Sequence, residues 1–259
     1  MAVRAKKSLG QHFLTDEHIA RNTVESLKAK EQGKVLEIGP GMGVLTKYLL
    51  EHKEYETSVI ELDRDSVTYL KKHFPQLENR IIEGDFLRLD LAELFSHTPF
   101  SVIGNFPYNI SSQIFFKVLE AKDLIPEVVC MLQEEVARRI CSVPGSKVYG
   151  ILSVFLQAWY KTEYIFDVPP HVFDPPPKVN SAVIRLTRNS VSELGCNEKL
   201  FHKVVKQAFG QRRKMLRNSI KIFSPRIEEL DAVLLTRRPE QLSVSEFVNL
   251  TNDIEKLMI

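Results

Sequence analysis

The chain has 259 residues, of which 44% are hydrophobic and 26% charged, as in ordinary globular proteins with one large domain or one domain and a small appendage. Its longest mostly apolar stretch, residues 150–160, is too short to span a membrane, and no apolar segment follows the N-terminal basic residues as in a secretory signal. Cys130, Cys141 and Cys196 form no C-x-x-C pair and the histidines are scattered, so we expect a cytoplasmic protein with reduced thiols and no metal site.

Strands and helices are predicted to alternate along the first part of the chain. The apolar runs predict strands at 34–38, 57–61, 80–83, 100–103 and 127–132. Helices are predicted at 44–51, 64–73, 111–121 and after the fifth strand through Arg139. This repetition predicts an α/β fold with a doubly wound parallel sheet, whose ligand lies at the carboxyl ends of the strands. Residues 160–166 and 181–187 read as two further strands, which could form an antiparallel edge.

Beyond residue 189 the pattern is helical, with predicted helices at 199–209, 226–235 and 243–257. We therefore expect two domains, 1–189 and 190–259, with net charges of −1 and +3. The second contains a stretch from Lys199 to Arg217 with seven basic residues and no acidic one. Such a stretch is either a solvated helix face or a phosphate-binding surface, and we favour the second interpretation.

A glycine-rich loop, Gly39-Pro40-Gly41-Met42-Gly43, follows the first of these strands, where glycines let a ligand approach the backbone. Glu61 ends the second strand and is placed to hold ribose hydroxyls, and Asp85 after the third could accept the amine of an adenine. The glycine spacing misses the dinucleotide fingerprint, and the chain has no P-loop lysine motif. We therefore favour S-adenosylmethionine over NAD or ATP, and assign Glu37 to structural support.

The tetrapeptide Asn105-Phe106-Pro107-Tyr108, which follows the fourth strand, is the strongest functional signal. The Asn side chain and a backbone carbonyl can each accept one hydrogen of a flat amine, while an aromatic ring stacks on the attached base. This arrangement suits alkylation of an exocyclic base nitrogen, which is an uncharged and poor nucleophile. The alternative is a Pro-containing turn, and the upstream glycine loop favours the functional interpretation.

Nearly the whole chain resembles the ribosomal RNA adenine dimethyltransferases of the KsgA type. The matching segments are residues 7–14, 37–41, 59–63, 84–85, 104–111, 131–136 and 173–179. The resemblance implies a Rossmann-like class I methyltransferase domain that uses S-adenosylmethionine, residues 1–189, and a small all-α RNA-binding domain, residues 190–259. Residues 208–218 resemble the small-subunit enzymes more than the antibiotic-resistance enzymes that modify large-subunit RNA. Gly210 departs from the family pattern, and we expect the helix to break or bend there.

The resemblance also implies roles for individual residues. The segment from Gly10 to Leu14 would fold over the methionine end of the cofactor. Cofactor contacts would fall on His12, Leu14, Gly39, Glu61, Asp85 and Asn105. The catalytic residues would be Asn105, Phe106, Pro107 and Tyr108. Substrate contacts would come from Tyr108 and Phe173, which stack on the flipped base, and from Arg212, Arg213, Lys214 and Arg217.

By the same resemblance, the substrate is N6 of two adjacent adenosines near the 3′ end of small-subunit rRNA, in an immature 30S subunit and with the enzyme as a monomer. Three alternatives stay open at this point: a large-subunit rRNA dimethyltransferase, a DNA adenine methyltransferase, and a non-catalytic ribosome assembly factor. A further possibility is that the small-subunit dimethyltransferase also acts as an assembly checkpoint, whose occupancy of immature subunits matters apart from methylation.

Overall fold

The computed structural model describes residues 3–28 and 33–258. Its strands are β1 (Phe13–Leu14), β2 (Gly33–Ile38), β3 (Tyr55–Glu61), β4 (Ile81–Glu83), β5 (Phe100–Asn105), β6 (Glu127–Gln133), β7 (Tyr160–Val168), β8 (Phe173–Asp174) and β9 (Ser181–Arg188). Its α-helices are α1 (Glu17–Glu25), α2 (Val44–Leu49), α3 (Arg64–His73), α4 (Leu91–Leu94), α5 (Ser111–Glu120), α6 (Glu134–Ile140), α7 (Ile151–Gln157), α8 (Glu198–Gly210), α9 (Leu216–Ser219), α10 (Ala232–Thr236) and α11 (Val244–Leu257).

Seven strands form one sheet in the order β4-β3-β2-β5-β6-β9-β7. The pairs β4–β3, β3–β2, β2–β5 and β5–β6 are parallel, and β9 runs antiparallel to β6. The predicted doubly wound sheet with an antiparallel edge is therefore confirmed. Since β3 and β4 extend the sheet on one side of β2 while β5 and β6 extend it on the other, the point between β2 and β5 is where such folds bind ligands.

Some elements differ from the sequence prediction. The two-residue strands β1 and β8 pair antiparallel in a small separate sheet, and they are too short to show any periodicity. Helices α1, α4, α7 and α9 were not predicted. The predicted helix 226–235 is a 3₁₀ turn at Ile227–Glu229 followed by α10, because Asp231 caps the new helix by accepting the Val233 N–H. Helix α8 ends at Gly210, where a break or bend was expected.

The chain divides into two compact units that differ from the predicted domains. One comprises the chain up to Ala137 and Lys161–Arg188, and the other comprises Arg138–Tyr160 and the chain from Asn189 onward. The predicted division at 189 thus left out the part of the helical unit that contains α7. Phe155 of α7 explains its place there, because this buried ring lies 6.2 Å from the ring of Phe201 and 4.5 Å from that of His202, both on α8.

One acidic side chain is buried between β2 and α2. Glu37 is only 1% exposed, and Thr46 Oγ1 donates a hydrogen bond of 2.5 Å to its carboxylate. Burial raises the pKa of Glu37 to about 8, although the Thr46 hydrogen bond acts in the opposite direction. Glu37 is therefore protonated at neutral pH and braces α2 against β2, which supports the structural role that we assigned to it.

We expect this buried carboxyl group to make stability fall as the pH rises. Between its unfolded pKa of about 4.3 and its folded pKa of about 8, the native state retains a proton that the unfolded state has lost. The free energy of unfolding therefore decreases through this window, by about 1.4 kcal/mol for each pKa unit of displacement. Glu37→Gln, which is neutral at every pH, should reduce that decrease. Urea denaturation at about pH 5.5 and about pH 8.5 measures it, with exposed Glu56→Gln as control. An equal decrease in both variants would contradict a buried proton on Glu37.

Candidate active site

Four neighbouring strands of the sheet end at one cavity of about 290 Å³. The glycine loop follows β2, Glu61 ends β3, Gly84 and Asp85 follow β4, and Asn105 ends β5. Residues 39–42 of the glycine loop and the other strand-end positions line the cavity, together with residues of the N-terminal segment. The structure thus brings together strand-end residues that were separate signals in the sequence. They lie beside the boundary between β2 and β5, where the strand order reverses.

The carboxylate of Glu61 holds the glycine loop in place. It is 6% exposed, and its two oxygens accept the N–H groups of Gly41, at 3.0 Å, and Asp63, at 2.8 Å. Burial raises the pKa of Glu61, and the two backbone hydrogen bonds oppose that rise. Gly39 has a φ of 66°, and a Cβ built there would have no heavy atom within 4 Å, so the backbone is open to a ligand at this point. Each Glu61 oxygen keeps a second lone pair that can accept from a hydroxyl group.

Asp85 occupies the next strand end. It is half-buried, and it accepts the Leu87 N–H at 3.0 Å, which caps a short 3₁₀ turn. Arg88 lies 3.5 Å from its second oxygen. The carboxylate thus lines the cavity from a fixed position, where it can accept from an amine.

The segment Lys6–Leu14, which we call the N-terminal strap, lies against the strand ends. Its Phe13 ring passes over Gly41, where an added Cβ would come within 2.7 Å of the ring. Gly10, with a φ of 64°, packs against Asn109. Strand β1 at the end of the strap pairs with β8, with Leu14 opposite Phe173. The strap therefore contacts both the glycine loop and the loop that follows Asn105.

Asn105 is oriented by the strap. Its Nδ2 donates to the His12 carbonyl at 2.9 Å, which presents Oδ1 as an acceptor. The Phe106 side chain is fully buried against Phe115, and its N–H donates to the Met131 carbonyl at 2.9 Å. Any role of Phe106 in chemistry must therefore pass through its backbone carbonyl.

Tyr108 is fixed at both ends of its side chain. Its ring stacks on the His12 ring with centroids 5.5 Å apart, and its hydroxyl group hydrogen bonds to the Ser181 hydroxyl. Burial raises the pKa of Tyr108, so it is a neutral phenol at physiological pH. His12 Nδ1 in turn donates to the Pro175 carbonyl at 2.6 Å. Pro107 and Tyr108 both line the cavity, so the ring is in position for stacking on a base.

Phe173 is placed differently from its predicted role. It is 3% exposed and belongs to an apolar cluster with Leu14, since β1–β8 pairing sets the two side chains opposite each other. Phe173 is not among the described residues that line the cavity, whereas Leu14 is. This placement does not support base stacking by Phe173, and the predicted role stays a prediction.

The four predicted RNA contacts of the helical unit fall into two groups. Arg213 and Lys214 are exposed. Arg212 instead donates to the Lys147 carbonyl, and its Nε lies 3.9 Å from a Glu240 oxygen. Arg217 is half-buried, with its Nε enclosed by the protein. Arg213 and Lys214 are therefore the better candidates for contacts with phosphate.

Two residues at the end of β3 escaped the sequence analysis. Leu62 lines the cavity and is 52% exposed, so it offers an apolar wall to a flat base. Asp63 is 2% exposed and pairs with Lys6 of the strap. Both lie in the segment 59–63 that carries the resemblance, but we assigned no role to either, because an apolar residue at a strand end usually belongs to the core and Asp63 is adjacent to a more obvious acid, Glu61.

The lining of the cavity indicates which ligands fit. None of the described residues around it is Lys or Arg, whereas Glu61 and Asp85 offer acceptors for hydroxyl and amine groups. Such a set suits a nucleoside without phosphates. Within residues 3–28 and 33–258, no three His, Cys, Asp or Glu side chains are grouped so that they could hold a metal ion. Over the same ranges, no helix has the length and apolar character that a membrane crossing requires.

Comparisons with known proteins show to which family the chain belongs. Residues 2–256 match the family model described as ribosomal RNA adenine dimethylase. Proteins named ribosomal RNA small subunit methyltransferase A are similar along their whole length: that of Phocaeicola vulgatus is 56% identical over 98% of this chain and 90% of its own, and that of Bacteroides thetaiotaomicron is 56% identical over 99% and 96%.

Solved structures confirm the fold. A dimethyladenosine transferase from Plasmodium falciparum superposes with a TM-score of 0.80 at 24% identity, covering 96% of this chain and 99% of that one. The 23S rRNA methyltransferase ErmE gives 0.66 at 24% identity, covering 92% and 99%. The sheet is that of a Rossmann-like class I methyltransferase. On the match across residues 2–256 and the 56% identity to curated relatives, this chain belongs to the ribosomal RNA adenine dimethylase family.

Proposed function

We propose that this enzyme transfers methyl groups from S-adenosylmethionine to N6 of two adjacent adenosines near the 3′ end of small-subunit rRNA, two to each. The observation that carries the proposal is Asn105, whose amide is oriented by His12 at the rim of the cavity. The small-subunit names of relatives at 56% identity favour this substrate over a large-subunit one. We also propose that the enzyme acts as a monomer on immature 30S subunits, in the cytoplasm where these assemble.

The residues of the cavity fit the cofactor. Glu61 would hold the two ribose hydroxyls and Asp85 the adenine amine, with Leu62 against the face of the base. When bound, the cofactor supplies an electrophilic methyl group on a sulfonium. A carboxylate next to that sulfur would stabilise the reactant more than the transition state, because the positive charge disappears during transfer. We therefore assign both carboxylates to hydroxyl and amine groups.

Asn105 and the Phe106 carbonyl would position the target amine. The N6 lone pair is conjugated with the ring, so transfer requires that it be aligned with the methyl carbon. Asn105 Oδ1 would accept one N6 hydrogen and the Phe106 carbonyl the other, and such positioning can contribute roughly 7–11 kcal/mol. Tyr108 would stack on the extruded base, which contributes about 1–3 kcal/mol. An amide and a peptide carbonyl are too weakly basic to retain a proton, so the N6 proton leaves to water.

A row of lysines on α8 and the exposed pair after it would bind the RNA backbone. Lys199, Lys203 and Lys206 are all exposed, and their spacing of four and three residues places them on one face of the helix. Arg213 and Lys214 follow within the same unit. Phosphate contacts of this kind give affinity with little sequence specificity, so recognition of the target adenosines depends on the cavity.

We expect Asn105→Ala to reduce kcat at least about 100-fold, because it removes the acceptor that aligns the amine. Methyl incorporation into undermethylated 30S subunits measures the rate, and thermal denaturation checks the fold. Gln113→Ala, which removes an exposed amide from α5, should retain full activity. A near-normal rate for Asn105→Ala would rule out the amine-positioning role.

Replacement of both Arg213 and Lys214 by Gln should weaken binding to small-subunit RNA and reduce its dependence on salt. Each phosphate contact that is lost lowers the slope of log affinity against log salt by roughly 0.7–0.9. Filter binding from about 50 to about 200 mM salt measures the slope. The matched control is Arg226→Gln with Lys256→Gln, which removes the same charge from side chains paired with Glu229 and Asp253. An equal loss in both pairs would indicate an effect of net charge alone.

A further inference from the structure

Asp63 joins the N-terminal strap to the rest of the site. It is 2% exposed and precedes α3. Its Oδ1 accepts from Lys6 Nζ at 2.5 Å and its Oδ2 from Gln11 Nε2 at 3.2 Å, and both donors belong to the strap. The same carboxylate accepts from the Asp65 N–H at 3.2 Å and the Ser66 hydroxyl at 3.4 Å, at the start of α3. Asp63 therefore has two sets of partners, and only one of them is needed to cap the helix.

Contacts within the strap reinforce this attachment. The Lys6 N–H donates to Gln11 Oε1 at 2.8 Å, which closes the strap into a loop with both polar side chains directed at Asp63. Lys6 Nζ also lies 2.7 Å from an oxygen of Asp65. At its other end the strap is fixed by the pairing of β1 with β8. It is thus anchored on both sides of the stretch, Gly10 to His12, that passes Asn109 and Asn105.

The ion pair is charged at neutral pH. Burial alone would raise the pKa of Asp63, but the hydrogen bonds from Lys6 and Gln11 outweigh it and the pKa lies below its ordinary value. The hydrogen bond to Asp63 raises the pKa of Lys6. Because the Asp63 carboxylate is almost completely enclosed, loss of Lys6 would leave a buried charge without its cationic partner.

Asp63 also contacts the residue that we assign to the cofactor ribose. Its N–H donates to Glu61 Oε1 at 2.8 Å. One residue thus connects the strap, which lines one side of the cavity, with the carboxylate that lines another. Release of Lys6 and Gln11 would free the near end of the strap while the glycine loop and Glu61 stay in place.

We propose that Asp63 is a positioning residue which, through Lys6 and Gln11, keeps the N-terminal strap closed over the cavity and thereby sets how tightly the methyl donor and its demethylated product are held. The identity of that ligand rests on the proposed function. The role is separate from capping α3, which the Asp65 N–H and Ser66 already account for.

Four variants separate the two roles of Asp63. Asp63→Asn retains a good helix cap but loses the charge that pairs with Lys6. Lys6→Met removes the cation and leaves Asp63 and α3 intact, whereas Lys6→Arg keeps the cation. Lys7→Met is the matched control, because it removes an equal charge from the exposed neighbouring residue of the strap.

Three measurements on the full-length enzyme test the proposal: calorimetric titration with S-adenosylhomocysteine, steady-state methylation of 30S subunits at varied S-adenosylmethionine, and hydrogen–deuterium exchange of peptides covering residues 6–14. Asp63→Asn and Lys6→Met should each raise the Kd and the KM for the donor about tenfold. At saturating donor the bound ligand closes the strap again and His12 orients Asn105 as before, so kcat should be unchanged. Their strap amides should exchange faster. Lys6→Arg and Lys7→Met should match the unaltered enzyme.

The outcomes distinguish this inference from the proposed function. If the unaltered enzyme binds neither ligand, the proposed function is wrong, whatever the exchange of the strap. If it binds them and Lys6→Met has an unchanged KM and unchanged exchange, the positioning role is overturned. Loss of affinity in Asp63→Asn alone would also overturn it, because Asp63 would then act through Glu61 or α3. Should Asp63→Asn fail to fold in thermal denaturation, Lys6→Met and its two controls decide the matter.

Discussion

The site depends on one buried carboxylate, that of Glu61. A buried polar group is costly unless hydrogen bonds replace its water, and here the N–H groups of Gly41 and Asp63 do so. These two bonds join the loop after β2 to the turn after β3. Position 41 requires glycine, because the Phe13 ring occupies the space where a Cβ would lie. The carboxylate thus fixes the glycine loop and Asp63, and Lys6 and Gln11 of the strap attach to Asp63 in turn.

The sequence predicted the large sheet because most of its strands, such as β5 and β6, contain apolar runs of adequate length. It did not predict β1 and β8, since two residues carry no periodicity and their pairing joins positions far apart in the chain. Nor did it reveal the bond between Lys6 and Asp63, which spans 57 residues. Helix α7 was missed for a similar reason: its apolar side chains pack against α8, and nothing local distinguishes it from the core of the first unit.

The motifs predicted where several site residues lie, but they did not predict whether the side chains of those residues are exposed. Asn105 and Tyr108 line the cavity, as their motif led us to expect. Phe173 lies in a matching motif, yet strand pairing buries its ring beside Leu14. Arg212 lies within the basic stretch, yet its guanidinium donates to a backbone carbonyl of its own unit. Residue type and spacing indicate which chemistry is possible, whereas tertiary contacts determine which side chains remain available for it.

Glu37 and Glu61 show how the fold assigns different roles to similar groups on adjacent strands. Burial raises the pKa of both, and the charge of Glu61 raises that of Glu37 further. Glu61 receives two backbone N–H bonds, which favour its ionised form. Glu37 receives the Thr46 hydroxyl bond, which opposes but does not offset the effect of burial, and it holds its proton to about pH 8. Two adjacent negative charges beside the cavity would repel each other, so the proton on Glu37 removes that repulsion from Glu61. Glu37 supports the fold, and Glu61 lines the cavity, where its oxygens can accept from hydroxyl groups.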